Sequence, residues 1–353
     1  MFRPKLLFTS LAALALGACS PQDPQAVTSA AIAKQVILPT YSRWVEADRT
    51  LAASALAYCE GKETLDKARA DFLNAQKAWA ELQPLLVGPL AEGNRAWQVQ
   101  FWPDKKNLVG RQVEQLVNAD QPVDAAALGK ASVVVRGLSA YEYILFDSKP
   151  DIATAEQKAR YCPLLVAIGE HQKTLAEEIL KGWNSTDGML SQMTKFPNQR
   201  YADSHEAIAD LLRAQVTALD SLKKKLGAPM GRQSKGIPQP LQAEAWRSHS
   251  SLKSLEASLK AAEAVWVGVD NQGPARLAVQ RSESPGRQDR RRLRCLAQAA
   301  GRQPENLGRA AGRRRWPANP EPDLRQPQRR PPPARRRAGQ GVEHPAGLQC
   351  QRR

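Results

Sequence analysis

Apolar residues recur at intervals of three and four along much of the chain, as in Phe72, Ala75, Trp79 and Leu82, and again in Ile208, Leu211, Leu212, Val216, Leu219 and Leu222. That period puts them on one face of a helix. Breakers such as Pro84, Pro89, Gly93, Pro103, Pro122 and Pro150 separate the runs, and Thr154 with Gln157 spells a capping box. The pattern predicts helices over 27–59, 63–83, 104–118, 124–147, 154–183, 203–226 and 239–266, and no stretch alternates as a strand. Long helices joined by short breakers predict an all-α fold of two antiparallel bundles packed together. The expected bundles are residues 27–150 and 151–266, the second of them incomplete.

The N-terminus has a different pattern. Met1-Phe2-Arg3-Pro4-Lys5 is followed by an apolar run from Leu6 to Leu16 and then by Gly17-Ala18-Cys19-Ser20. A basic start, a run too short to span a bilayer and small residues before a cleavage point make a secretory signal over 1–19. Leu16-Gly17-Ala18-Cys19 resembles a bacterial lipobox, which implies that Cys19 becomes the lipid-bearing first residue and ties the protein to a membrane. Ser20 in place of Asp resembles the signal for the outer membrane, and residues 20–26, with Pro21 and Pro24, read as a tether. The expected location is the periplasm. In that oxidising compartment Cys59 and Cys162 are a candidate disulfide, the alternative being two buried thiols. Neither lies in a redox or zinc spacing.

Charge changes the picture at the other end. The chain carries a net +16. From Asn271 to Arg353 there are 20 Arg, no Lys and 6 acidic residues, a net of +14, leaving 31 basic against 29 acidic residues over 1–270. The body is therefore nearly neutral and gives no reason to expect a nucleic-acid partner. From about Val267 the helical period gives way to Arg, Pro, Gly, Gln and Ala, as in Arg329-Arg330-Pro331-Pro332-Pro333. A disordered cationic arm able to bind nucleic acid or anionic lipid is one reading of 267–353. A frameshift in GC-rich DNA is the other, and the reading preferred here.

The segment richest in information is Val135-Arg136-Gly137-Leu138-Ser139-Ala140-Tyr141-Glu142-Tyr143-Ile144-Leu145-Phe146. It resembles the Gly-x-His-x-x-Glu motif of the imelysin family. The Gln100-Phe101-Trp102-Pro103-Asp104 stretch with Asn107 and Leu108, Leu226-Gly227 with Pro229 and Gly231, and Ala243-Glu244-Ala245-Trp246-Arg247-Ser248 extend the resemblance, in order, over about 27–266. In the family motif His and Glu three residues apart share a helix face, where they can hold one metal or handle one proton. Here Ser139 stands at the His position, and a hydroxyl is a poor ligand for zinc or a transition metal. Glu142 remains as the candidate metal ligand, with Gly137 and Ser139 completing the motif and Trp102 and Asp104 as further site candidates. The plainer alternatives are a paired structural carboxylate, with Arg136 as partner, and a packing turn in which Asp104 caps a helix. His171, His205 and His249 are isolated, and no HExxH, GxSxG or P-loop occurs.

The genetic code bears on the tail. Read from the second nucleotide of the Gly347 codon, Gly347 to Arg353 and a TGA stop permit Gly-Phe-Asn-Ala-Asn-Asp-Gly-Asp, which resembles the closing motif of imelysin-like proteins. In the same frame Ala338 to Ala346 permit Leu-Ala-Lys-Ala-Leu-Asn-Ile-Gln-Leu, an amphipathic helix end. The expected shift falls between Trp266 and Pro274. What the resemblance implies is a non-catalytic envelope lipoprotein that binds or acquires a metal, iron or another divalent ion, with metal-uptake partners. An imelysin-type metallopeptidase and a structural or partner-binding module are the alternatives.

Overall fold

The computed structural model describes residues 23–119 and 123–283. The signal segment, Cys19 and residues 284–353 of the tail lie outside these. Twelve α-helices occur among the described residues: α1 Pro24–Ile32, α2 Leu38–Cys59, α3 Leu65–Leu82, α4 Arg95–Val99, α5 Leu108–Val117, α6 Ala125–Lys130, α7 Leu138–Phe146, α8 Ala155–Asn184, α9 Met189–Gln192, α10 Ser204–Gly227, α11 Ser251–Val267 and α12 Pro274–Glu283. No strand occurs among the described residues, and none of these helices is long and apolar enough to cross a membrane. The protein is all-α, as its periodicity predicts.

Local chemistry explains most helix boundaries. Asp23 accepts from the Gln25 amide, Thr64 from Lys67, Thr154 from Gln157 and Asp203 from Glu206, each side chain satisfying an otherwise orphaned helix N–H. Helix α1 opens at Pro24, so the tether expected through residue 26 ends before it. Between α1 and α2 the helix widens into a π turn, Ala33–Ile37. Pro39 has no N–H to return to the Gln35 carbonyl, so the ordinary helical ladder is broken there. Two long predicted helices are interrupted. The stretch 124–147 divides into α6, a 3-10 turn at Val133–Val135 and α7, and 239–266 keeps only α11. Residues 243–250 instead form a wrapping loop, with Ala245 and His249 at positive φ. Past Val267, where the sequence pattern ends, the chain continues through a 3-10 turn, Val269–Asn271, into α12.

The most extensive helix contact is between α2 and α8, from opposite sides of Pro150, and α3 packs on both α2 and α11. One continuous core, from Ile32 to Val265, includes Tyr41, Trp44, Phe72, Tyr141 and Trp183, all fully buried. The boundary expected near Pro150 therefore falls within a single core rather than between two. Helices α2 and α8 pack directly on each other across that position. The pair is also tied covalently, because Cys59 and Cys162 form a disulfide.

Asp48, on α2, is fully buried, and neither of its carboxylate oxygens has a hydrogen-bond partner among the described residues. Burial alone pushes its carboxyl well above the usual range. A carboxyl raised in the folded state binds its proton more tightly than in the unfolded chain. Its cost is therefore absent below about pH 3.9 and grows as pH rises from there towards the folded value. Asp48→Asn should flatten this decline and at pH 8 be more stable than the parent by about 1–3 kcal/mol. Denaturant unfolding at pH 4 and pH 8 checks it, and an unchanged pH slope in the variant would refute the assignment.

Candidate functional site

Three of the four segments that carry the family resemblance, 100–108, 135–146 and 243–248, lie far apart in sequence and meet in space around α7. Gly137 caps that helix where its backbone meets the Gln98–Val99 end of α4. A Cβ at 137 would sit 2.5 Å from the Val99 carbonyl oxygen and 2.8 Å from that of Gln98, so only glycine permits the approach. Gln172 of α8 bridges the same junction, donating to the carbonyls of Gln98 (2.8 Å) and Arg136 (2.9 Å). Two residues on, the Ser139 hydroxyl donates to the Phe101 carbonyl at 2.8 Å. The residue at the family's histidine position thus anchors the Phe101-Trp102-Pro103 corner to α7.

Glu142 is 3 % exposed. Its Oε1 accepts from the Ser248 amide (2.8 Å) and the Ser248 hydroxyl (2.7 Å), and that hydroxyl also lies 2.9 Å from the Ser250 hydroxyl. Burial pushes its carboxyl up; the two Ser248 hydrogen bonds and the Arg247 charge oppose this, while Glu244 adds to it. Arg136, at helical distance in sequence, does not pair with Glu142. It turns away to the carbonyls of Ala131 and Gly129, because its position in the turn before α7 aims it back along the chain. The basic partner nearby is Arg247. Its guanidinium donates to Asp147 (2.9 Å) and Asn107 (2.9 Å) and lies over the Tyr143 and Trp246 rings.

Trp102 and Asp104 sit at the edge of this cluster. The Trp102 indole donates to the Gln242 carbonyl at 3.0 Å, and the Lys225 ammonium lies 5.3 Å from its ring centre. Lys225 and Glu244, both buried, pair at 2.6 Å, and Gln83 bonds to each. Asp104 caps α5, accepting from the amides of Leu108 (2.6 Å) and Val109 (3.2 Å). Its carboxylate is spent on a helix terminus. In this geometry Trp102 packs against the Gln242 backbone and Asp104 caps α5.

Several polar contacts have no counterpart in the sequence reading. Glu114 of α5 accepts from the Tyr143 and Tyr161 hydroxyls and pairs with Lys149 at 3.1 Å. Burial raises its carboxyl, but these three contacts outweigh that and hold it low. Gln100 links the Trp79 indole (2.7 Å) to Gln76 (2.9 Å). Nothing in the spacing of Glu114, Tyr143 and Tyr161 marks them as partners, whereas Glu244, Arg247 and Ser248 lie in a stretch the resemblance had singled out.

As a metal centre, this arrangement lacks donors. Among the described residues no three His, Cys, Asp or Glu side chains come together in a way that could hold an ion. Glu142 is the lone carboxylate of the motif, the Ser248 hydroxyl already donates to it, and Ser139 is committed to a carbonyl. These residues do not fit a zinc or iron site.

Comparison with known proteins agrees with the fold. The family model described as Imelysin matches residues 37–304. Two solved structures are similar. One is an imelysin-like protein from Psychrobacter arcticum 273-4, with 18 % identity, a TM-score of 0.58, and 69 % of this chain and 74 % of that chain covered. The other, assigned as an iron-regulated protein A precursor, is from Parabacteroides distasonis ATCC 8503, with 17 % identity, a TM-score of 0.56, and 73 % and 76 % covered. A search of curated proteins gives no match. With more than half its length matched by the family and three of the motif segments assembled around α7, the chain belongs to the imelysin family.

Proposed function

We propose that this protein is a non-catalytic, exported envelope lipoprotein that serves iron acquisition through contacts with other proteins, its motif acting as a structural clasp. The observation that carries the reading is the Glu142–Ser248 contact. The motif carboxylate is buried and already holds two donors, and the hydroxyl at the histidine position is held by a backbone carbonyl. A general base must reach a substrate proton or a water, and a metal ligand must present a free lone pair with partners around it. Glu142 takes both donors on Oε1, and no set of three His, Cys, Asp or Glu side chains that could hold an ion surrounds it among the described residues. Export and anchoring through Cys19 rest on the order of charge, apolar run and small residues at the N-terminus. The link to iron rests on the family and on the name of the Parabacteroides protein.

The test is a thermal melt of the purified protein with ferrous, ferric and zinc salts, alongside a proteolysis assay with and without chelator. The expected result is a Tm within about 1 °C of the metal-free value and no chelator-sensitive cleavage. A metal at a hundred times its Kd would add about 2.7 kcal/mol to folding. A rise of several degrees that disappears in Glu142→Gln would place a metal at the motif, and chelator-sensitive cleavage would establish the peptidase.

A further inference from the structure

Between one face of α10 and the corner that follows α4 lies a cavity of about 370 Å³, within the size range of small-molecule sites. Glu142, Ser139 and Ser248 do not line it. Its first wall is aromatic, made by Trp79, Trp97 and Trp102. Trp79 and Trp102 are fixed by their indole N–H groups, which donate to Gln100 at 2.7 Å and to the Gln242 carbonyl at 3.0 Å. Trp97 packs on Phe101 with ring centres 5.9 Å apart, yet stays 44 % exposed. The facing wall is α10, where Ala214 and Ala218 recur at the four-residue spacing that stacks side chains along a helix. Flat indoles opposite methyl groups leave a slot suited to a planar ring, and an aromatic ring gains from such contact beyond the area it buries.

Polar groups in the lining are few, and donors outnumber acceptors. Lys225, on the same face of α10, is 8 % exposed. Its ammonium donates to Gln83 (2.8 Å) and Glu244 (2.6 Å) and lies 5.3 Å from the Trp102 ring centre, so these hydrogen bonds take two of its three N–H groups. Glu244, its counter-ion, does not line the cavity. The Asp210 carboxylate does, but it is already held by Tyr201 at 2.8 Å and Arg213 at 2.7 Å. Thr217 and Ser221 add two hydroxyls with no hydrogen-bond partner among the described residues. The charged groups facing the space are therefore Arg213 and Lys225 against Asp210, a positive balance whose complement is an acidic group.

We infer that the cavity between α10 and the Trp97–Trp102 corner is a binding site for a small planar aromatic acid, its ring against the indoles and its carboxylate at the Lys225 ammonium. The site stands whether or not the motif around Glu142 binds a metal, and it adds an organic ligand to a protein that works through contacts with other proteins.

The test is calorimetric titration of the full chain with 2-naphthoate and indole-3-carboxylate, each beside its carbinol, which keeps the ring and removes the charge. The tighter acid should bind one-to-one with a Kd below about 1 mM, a modest affinity for a ligand of that size. Its carbinol should bind about tenfold more weakly, the factor expected for one charge-assisted hydrogen bond. Ala214→Trp fills the slot and Trp97→Ala removes a half-exposed ring, so each should weaken the acid about tenfold or more. Trp97→Ala keeps the test decisive if the bulkier variant folds poorly. Val216→Trp, on the exposed side of α10 and outside the lining, should leave binding unchanged. No saturable binding of either acid up to that concentration would overturn the assignment. So would acids and carbinols that bind alike, or binding that survives both Ala214→Trp and Trp97→Ala, because the ligand would then sit elsewhere.

Discussion

Replacing Cys59 and Cys162 together by serine should lower the stability of this protein by about 4–5 kcal/mol. The two cysteines are 103 residues apart, and a cross-link closing a loop of that length removes about that much conformational entropy from the unfolded chain. The bond joins the end of α2 to α8, the two helices with the most extensive interface. Cys162 is buried and Cys59 half-buried, so serine at 162 also places a hydroxyl where no partner is provided, and this adds to the loss. Guanidinium unfolding of the parent and the double variant measures the difference. A loss below about 1 kcal/mol would mean that the unfolded chain is already compact enough for the link to matter little. The same experiment under reducing conditions should bring the parent close to the variant.

Glu142→Ala should destabilise the fold by about 3 kcal/mol, while Glu142→Gln should stay within about 1 kcal/mol of the parent at pH 7. Alanine leaves the Ser248 amide and hydroxyl facing a cavity, and an unsatisfied buried donor costs about 1–3 kcal/mol beyond the lost packing. Glutamine keeps an oxygen that can accept from both. The pair separates a clasp from a chemical role. A general base or metal ligand would be lost in both variants, whereas a clasp survives in glutamine. The pH dependence follows from the same burial. The Glu142 carboxyl is raised in the folded state, so its contribution to stability is greatest below the ordinary carboxylate range and declines as pH rises from there through the raised value. Glutamine should remove that decline. Equal losses in alanine and glutamine would refute the clasp.

Helix content was legible because it is a local property. Phe72, Ala75, Trp79 and Leu82 occupy one face of α3, and the Thr154 cap opens α8, each within a few residues of what decides it. The interruption of 124–147 was visible only in part. Gly137 is a helix breaker by composition, but the need for it comes from the Val99 carbonyl, 38 positions away. Likewise 239–266 reads as one helix by period, yet 243–250 gives up helical geometry so that Ser248 can present its amide and hydroxyl to Glu142. The partner of Glu142 is not legible in the local sequence for the same reason. Arg136 is close in sequence, but Arg247 and Ser248 are brought to the site by the wrap of a distant loop.

By itself the chain's amino-acid order determined the secondary-structure class, most helix ends and the set of segments that had to matter, since periodicity and capping act over a turn or two. Only the tertiary structure decided that α2 and α8 share one core across Pro150, that Ser139 and Asp104 spend their polar atoms on backbone groups, and that Glu142 is closed by Ser248. Those outcomes depend on which carbonyls and donors are left over after the helices pack, and burial makes each such leftover group bind the nearest partner, wherever along the chain it arises.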